Sequence, residues 1–398
     1  MKLLKAIFLL IVIFCSTLLA QDNKMNSISE LIDEVRFQFA PDKRSAIFDI
    51  TVKESDSSLI LSGETSLPLA KEKLISKLKP LQIIVKDEIQ VLPVKNLGEN
   101  IFGIVNLSVS NIRIKPDDDK ELTNQSLLGT CVRIFKKQSG YFLVQTPDDY
   151  IGWMDTDGLH SVNKVKLDDW KKSEKIIVTK EFGFSYSSPN ENSQRVSDLA
   201  AGDILVLLGE ENNFYKVKYP DDRIAFVLKS NCEIFNNWVN KPNPTEADII
   251  STAKLMIGIP YLWGGTSIKG MDCSGFTKTV YYLNRIVLPR DASQQVNTGV
   301  LVDTKNGFEN CRPGDLFFFG TRATDSTKEK VTHVGIYLGN SKFIHASGRV
   351  KINSLDSSDS DFSAYRLKHF LRVKRILTSI DKNGVITVKN HKYYFGET

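Results

Sequence analysis

Histidine and cysteine are scarce in this chain, five of each in 398 residues. No two cysteines stand at a Cys-x-x-Cys spacing, which argues against a structural zinc site or a thioredoxin-type motif. Cys131, Cys232, Cys273 and Cys311 are widely spaced, so they do not read as a disulfide framework. Beyond residues 1–20 no apolar run is long enough to cross a membrane, so the mature chain is expected to have no membrane span. Lys and Arg form no dense stripe and the net charge is only +5, which argues against nucleic acid as a partner.

What is present begins with an export signal. Lys2 and Lys5 give a positive start, Ile7 to Phe14 an apolar core, and Ser16 to Ala20 small residues before Gln21. Cleavage near Ala20 ranks above a lipoprotein site at Cys15, because Phe14 is bulky where such a site wants a small residue. The mature protein is expected in the periplasm, secreted, or associated with the wall. Its net charge falls from +5 to +3 with the loss of Lys2 and Lys5.

The remaining length suits two to four domains. Residues 21–100 show strand composition at Phe48 to Val52 and Leu59 to Leu61. Helical spacing follows over Leu69 to Leu78, with Leu74, Leu78 and Leu81 on one side, and strand composition returns over Ile83 to Val94. That order resembles a small α/β, BON-like module, and without histidine or cysteine it reads as a packing or docking unit. Residues 101–168 and 174–236 are short strands with polar turns. Gly140 to Trp153 aligns without a gap on Asn213 to Phe226, sharing an aromatic, a strand, Pro-Asp-Asp and a second strand. This is an internal repeat, and each unit resembles a bacterial SH3-type barrel. Asn236 to Pro244 reads as a linker. Residues 245–398 place helices before antiparallel strands, an α+β order. The segment Val385 to Phe395 has strand composition and no assigned role.

The chemistry concentrates around Tyr261 to Phe276. A glycine-rich loop runs into Asp272-Cys273-Ser274-Gly275, and an amphipathic run follows to Leu283. That pattern delivers a cysteine to the first turn of a helix, where the helix dipole favours an anion and a lowered thiol pKa is expected. Two of the five histidines lie in the next apolar strand pair: His333 in Thr-His-Val-Gly-Ile-Tyr and His345 in Phe-Ile-His-Ala-Ser. Gly339, Asn340 and Ser341 make a tight turn between them, so the two imidazoles are expected on neighbouring rungs. Cys273 then serves as nucleophile, His333 as general base and acid, and His345 as the group that orients His333. The Cys/His pair is expected to rest as thiolate and imidazolium. No acid or cysteine stands in those strands to complete a third metal ligand, so neither metal nor organic cofactor is expected.

Taken in order, Tyr-x-Trp-Gly-Gly, Asp-Cys-Ser-Gly-Phe, Pro-Arg-Asp-Ala-Ser-Gln-Gln, Gly-Asp-Leu-x-Phe-Phe, Thr-His-Val-Gly-Ile-Tyr and Phe-Ile-His-Ala-Ser resemble the NlpC/p60-type cysteine peptidases of bacterial cell walls. The likeness covers about residues 245–376. With two SH3-type barrels in front, the chain resembles the γ-D-glutamyl-L-diamino-acid endopeptidase branch. The resemblance implies a papain-like catalytic domain and a Cys273, His333, His345 triad. It places Tyr261 near the oxyanion, beside the backbone N–H of Cys273. It also implies substrate contacts at Asp272, Ser274, Arg290, Asp291, Ser293 and Trp263, with Ser293 on the D-Glu carboxylate and Tyr150 of the first barrel closing the amine end. Asp272 and Asp291 both precede helices and are equally suited to capping, and Arg290 to pairing with a scaffold acid. The expected substrate is a muropeptide with a free N-terminal L-Ala, and the expected state is a monomer. An N-acetylmuramoyl-L-alanine amidase and a non-catalytic wall-binding adaptor are the alternatives.

Overall fold

The computed structural model describes residues 25–55, 58–81 and 85–391. The expected signal segment and Phe395 lie outside them. The chain divides into two compact units, with the boundary in sequence between Leu97 and Gly98.

In the first unit, Ser58–Thr65 pairs antiparallel with Phe48–Ser55 and parallel with Val85–Val91. The parallel pair needs a crossover, and the Pro68–Leu78 helix supplies it. Residues 25–39 form a helix ahead of the expected order. Its signal is Ile28, Ile32 and Val35, a stripe at helical spacing that is buried against Ile50, Leu61, Leu74 and Ile89. Leu74 and Leu78 are buried as expected, but Leu81 is exposed. The α-helix ends at Leu78, and a tighter 3-10 turn over Lys79–Leu81 takes Leu81 off that face.

The second unit holds two seven-stranded sheets and one of six strands. In the first sheet the strands lie in the order Leu159–Val162, Phe102–Val105, Cys131–Gln138, Tyr141–Gln145, Ile151–Asp155, Val109–Arg113, Leu122–Leu127. The second repeats it with Cys232–Ile234, Lys175–Val178, Ile204–Glu211, Phe214–Lys218, Ile224–Leu228, Phe182–Tyr186, Arg195–Ala200. Every strand opens 73 residues after its counterpart, as Lys175 follows Phe102 and Cys232 follows Leu159. Even the register shift recurs, between Ile134 and Lys136 in one and Leu207 and Gly209 in the other. The helix Lys164–Lys172, capped by the Asn163 side chain, joins the two and buries Leu167 and Trp170. Asp203 locks them together. Its buried carboxylate accepts N–H bonds from Leu128 (3.2 Å) and Ala200 (2.8 Å).

The C-terminal part opens with the helix Glu246–Leu255, started by a Thr245/Asp248 capping box. The six-stranded sheet is antiparallel throughout, in the order Val300–Val302, Phe370–Arg375, Leu316–Thr321, Lys330–Gly339, Lys342–Ser347, Arg349–Ser354. Val300–Val302 and Arg349–Ser354 were not anticipated. The two-residue strand period sorts the side chains. Leu316, Phe318, Val334, Ile336 and Ile344 join the core of the helix Cys273–Leu283. Phe317, Phe319, Tyr337 and Phe343 fill the other face. The tail has a place as well. Ile386–Thr387 pairs with Ile286–Val287, and Val388 is buried with Phe235, Trp238 and Ile177 of the second sheet's surroundings.

Candidate active site

Cys273 is the first residue of its helix and is buried. Asp272 caps that helix, its Oδ1 accepting from the Gly275 N–H at 2.7 Å. Gly275 has to be glycine, since a Cβ there would sit 2.0 Å from the Gly265 carbonyl oxygen. The Asp272 carboxylate takes five donors: the N–H groups of Gly275 and Gly264, the Ser274 hydroxyl, and both Nη atoms of Arg290. Arg290 is itself 1 % exposed, and its Nη1 also donates to Ser274 Oγ at 3.1 Å. Burial opposes its charge, but Asp272 more than offsets that and raises its pKa. Both scaffold roles therefore occur, capping at Asp272 and ion pairing at Arg290.

Asp291 heads the short helix Ala292–Gln295, and its N–H donates to Gln294 Oε1 at 3.1 Å. Ser293 lies half-buried in that helix. Gln295, fully buried, donates to the carbonyls of Ser274 and Pro289 and accepts from the Thr277 hydroxyl. It ties the loop to the Cys273 helix. The motif quoted above contains Gln295, but only the fold shows what it holds.

The histidine pair is where the hairpin turn directs it. Asn340 and Ser341 adopt φ of 49° and 60°, the two left-handed residues of a type I′ turn. His333 Nε2 and His345 Nδ1 lie 2.7 Å apart, with the rings perpendicular. A fourth residue, absent from the sequence expectation, continues the line. His345 Nε2 is 2.9 Å from Asn353 Oδ1, and Asn353 Nδ2 donates to the Asp361 carbonyl at 2.8 Å. That carbonyl can only accept, so it fixes which end of the Asn353 amide faces His345. His345 Nε2 must then carry the proton, its Nδ1 must accept, and His333 must donate from Nε2. The neutral His333 is left with a bare Nδ1, which is the acceptor a thiol proton needs.

Electrostatics changes the expected resting state. The Cys273 thiol is pushed up to about 11, first by burial and then by the Asp272 carboxylate. The N–H groups of Val334 and Ser274 and the Arg290 charge pull the other way and do not prevail. The shift runs opposite to the lowered thiol pKa expected from the helix terminus, chiefly because the thiol is buried and next because the capping carboxylate sits at that same terminus. Burial holds His333 well below its ordinary value, with the Arg366 charge and His345 adding to it. The same burial takes His345 to about 3 against the favourable Asn353 bond. Each group by itself is therefore biased toward its neutral form, thiol and imidazole.

The remaining candidates ring this centre. Tyr261 packs against the core that holds Cys273, and burial, Cys273 and Asp272 raise its pKa in that order. Trp263 is 62 % exposed and donates from Nε1 to Glu121, the residue just before the strand Leu122–Leu127 of the first seven-stranded sheet, at 2.6 Å. Next to it, a Cβ on Gly264 would lie 2.2 Å from the Leu122 carbonyl oxygen, so that sheet touches the loop directly. Tyr150 is buried close enough to Arg290 for its charge to register there. Asp148 of the same turn pairs with Lys278 of the Cys273 helix at 2.6 Å. Burial would raise Asp148, but the Lys278 charge and hydrogen bond outweigh it and leave it lowered. Among the described residues, no three His, Cys, Asp or Glu side chains are grouped to hold a metal ion, and no helix is long and apolar enough to cross a membrane.

Comparison with known proteins converges on this region. The NlpC/P60 family model matches residues 258–372, and a bacterial dipeptidyl-peptidase Sh3 domain model matches residues 112–159. A γ-D-glutamyl-L-lysine dipeptidyl-peptidase of Bacillus cereus is 34 % identical over 234 residues, 57 % of this chain and 67 % of that one. A Bacillus subtilis protein of the same name is 30 % identical over 236 residues, 57 % of this chain and 73 % of that one. The crystal structure of an NlpC/P60 family protein from Bacillus cereus superposes with a TM-score of 0.60 at 26 % identity, covering 69 % of this chain and 99 % of that one.

Proposed function

This chain belongs to the NlpC/P60 family of cysteine peptidases, and from that premise we propose that it hydrolyses the γ-D-glutamyl–diamino-acid bond of released peptidoglycan stem peptides. The observation that carries the reading is the line Asp361 carbonyl, Asn353, His345, His333, which leaves a proton acceptor on His333 in the site that holds Cys273. His333 Nδ1 takes the thiol proton as Sγ attacks the γ-carbonyl of D-Glu. Because the thiol rests protonated, proton transfer and attack are coupled. The oxyanion is received by the Cys273 N–H and the Tyr261 hydroxyl. His333 then protonates the leaving amine of the diamino acid, and water attacks the Cys273 thioester with His333 again as base.

The substrate's free end is assigned to the side that meets the first barrel. Asp272 and Arg290, whose charges satisfy each other, hold that end in shape. Ser274, Asp291, Ser293, Tyr150 and Trp263 face the L-Ala amine and the D-Glu carboxylate. The two seven-stranded sheets are read as two SH3-type barrels, 101–168 and 174–236, with 245–398 as the papain-like catalytic domain and 21–100 as a BON-like docking module. A cleft closed at the amine end would restrict the enzyme to peptides with a free L-Ala, which fits recycling by an exported, monomeric enzyme. The test is mass spectrometry of L-Ala-γ-D-Glu-diamino-acid peptides. Wild type should release L-Ala-γ-D-Glu, and Cys273→Ala should release nothing above background. Cleavage elsewhere, or activity surviving in the variant, would sink the reading.

A further inference from the structure

Two arginines flank Cys273, and they differ in one decisive respect. Arg290 is buried and bound to Asp272. Arg366 is half-buried, and among the described residues no carboxylate pairs with its guanidinium and no side-chain hydrogen bond reaches it. It stands on the short helix Ala364–Lys368, held at its start by the Ser363 side chain. Its guanidinium carbon lies 5.7 Å from the centre of the Phe319 ring and 5.5 Å from that of Tyr365. The Phe319 ring is in turn 5.8 Å from the His333 ring. One aromatic therefore connects Arg366 to the candidate general acid. Arg366 is also near enough to Cys273, Tyr261 and both imidazoles for its charge to be felt at each.

A partly desolvated cation without a carboxylate partner is poised for an anion from outside. The side it occupies follows from the chemistry. The imidazole that takes the thiol proton must later reach the leaving nitrogen, so the leaving group lies on the histidine side. Arg366 is on that side, one aromatic ring from His333, whereas Arg290 is bound to Asp272 and lies near Tyr150. The two diamino acids of such peptides differ there. Lysine ends in an ammonium, which Arg366 would repel. Diaminopimelate carries a carboxylate beside its distal amine.

Resting on the function proposed above, we propose that Arg366 forms a carboxylate site on the leaving-group side. It takes the distal carboxylate of diaminopimelate, so that this chain favours γ-D-glutamyl-diaminopimelate over γ-D-glutamyl-lysine. The exposed Tyr365, its ring 4.1 Å from that of His369, forms the apolar wall along which the side chain extends.

The test uses two tetrapeptides, L-Ala-γ-D-Glu-X-D-Ala, with X either meso-diaminopimelate or L-lysine, so that only the distal carboxylate distinguishes them. Binding is measured by calorimetry to the full-length Cys273→Ala protein, alone and with Arg366→Gln or Arg366→Lys, and kcat/KM is measured with the corresponding active proteins. The expected preference for diaminopimelate is at least about tenfold, which is about 1.4 kcal/mol. It should fall to within about threefold of parity in Arg366→Gln and be partly kept in Arg366→Lys, chiefly through KM. Equal affinity for the two peptides, or an Arg366→Gln loss of the same factor on both, overturns the proposal. Absence of hydrolysis by wild type overturns the proposed function instead, and the binding ratio still decides the role of Arg366.

Discussion

The two seven-stranded repeats use one turn for two purposes. In the first, Thr146 and Tyr150 close Pro147-Asp148-Asp149 with a 2.9 Å bond, and Asp149 is left-handed at φ 62°. In the second, Tyr219 and Arg223 close Pro220-Asp221-Asp222 with a bond of the same length, and Asp222 has φ 67°. The backbones match, and the partners do not. Asp148 pairs with Lys278 on the Cys273 helix. Asp221 pairs with Arg223 and accepts from Asn106 of the first repeat at 2.9 Å. The residue after the aspartates follows suit. Tyr150 is buried near Arg290, whereas Arg223 stacks 4.4 Å over its own repeat's Tyr219 and leans on Asn106. A duplicated turn has become a contact with the Cys273 helix in one copy and a brace between the repeats in the other.

The comparison is most exposed to failure at the two aspartates. Asp148→Ala leaves the largely buried Lys278 ammonium without a partner and should cost roughly 3–5 kcal/mol in denaturant unfolding. Asp221→Ala breaks a more exposed pair and should cost at most about 1 kcal/mol. Equal losses would erase the distinction. Next comes the fifth residue of each turn. Tyr150→Ala should lower kcat/KM on peptides with a free L-Ala by about tenfold, near 1.4 kcal/mol, while Arg223→Ala should leave it within about twofold. A comparable loss from Arg223→Ala would assign the second barrel to the site. Tyr150→Arg, which gives the first turn the residue of the second, should lose as much as Tyr150→Ala. The smallest effect concerns pH. His333 works as a base when neutral, and its lowered pKa keeps it neutral further into acid than an ordinary imidazole. The acid limb of kcat/KM should therefore fall below pH 6.5 in wild type and stay there in Tyr150→Ala, since Tyr150 is not among the groups that set the His333 shift. A limb at or above 6.5 would mean that His333 rests charged.

The repeat was legible because turn chemistry is local. Pro-Asp-Asp between two strands announces itself at each site, and the equal spacing followed. The helix start at Cys273 was legible for the same reason, from a capping aspartate and glycines in contact range of one another. The helix over residues 25–39 was equally present in Ile28, Ile32 and Val35, yet its polar surroundings hid the period. Asn353 was not legible. It lies eight residues from His345 in sequence, and it meets the imidazole only because Phe343 pairs with Asn353, which places the two side chains on one face of adjacent strands. Arg366 was not legible either: the Ser363-capped turn brings its guanidinium over Phe319, far away in the sequence.

The sequence alone determined the types of the reactive groups and the elements that carry them. Caps, turns and strand periods act over a few residues and leave marks within a few residues. What the tertiary structure decided was protonation and partnership. The thiol expected to ionise is biased toward its neutral form by burial and by the carboxylate that caps its helix, and the histidine expected to be charged is biased toward its neutral form by burial and by the nearby Arg366 charge. Desolvation and charge depend on everything within several ångströms, and those neighbours, Asp272, Arg290, Val334 and Arg366 among them, arrive from loops, strands and a short helix far apart in the chain.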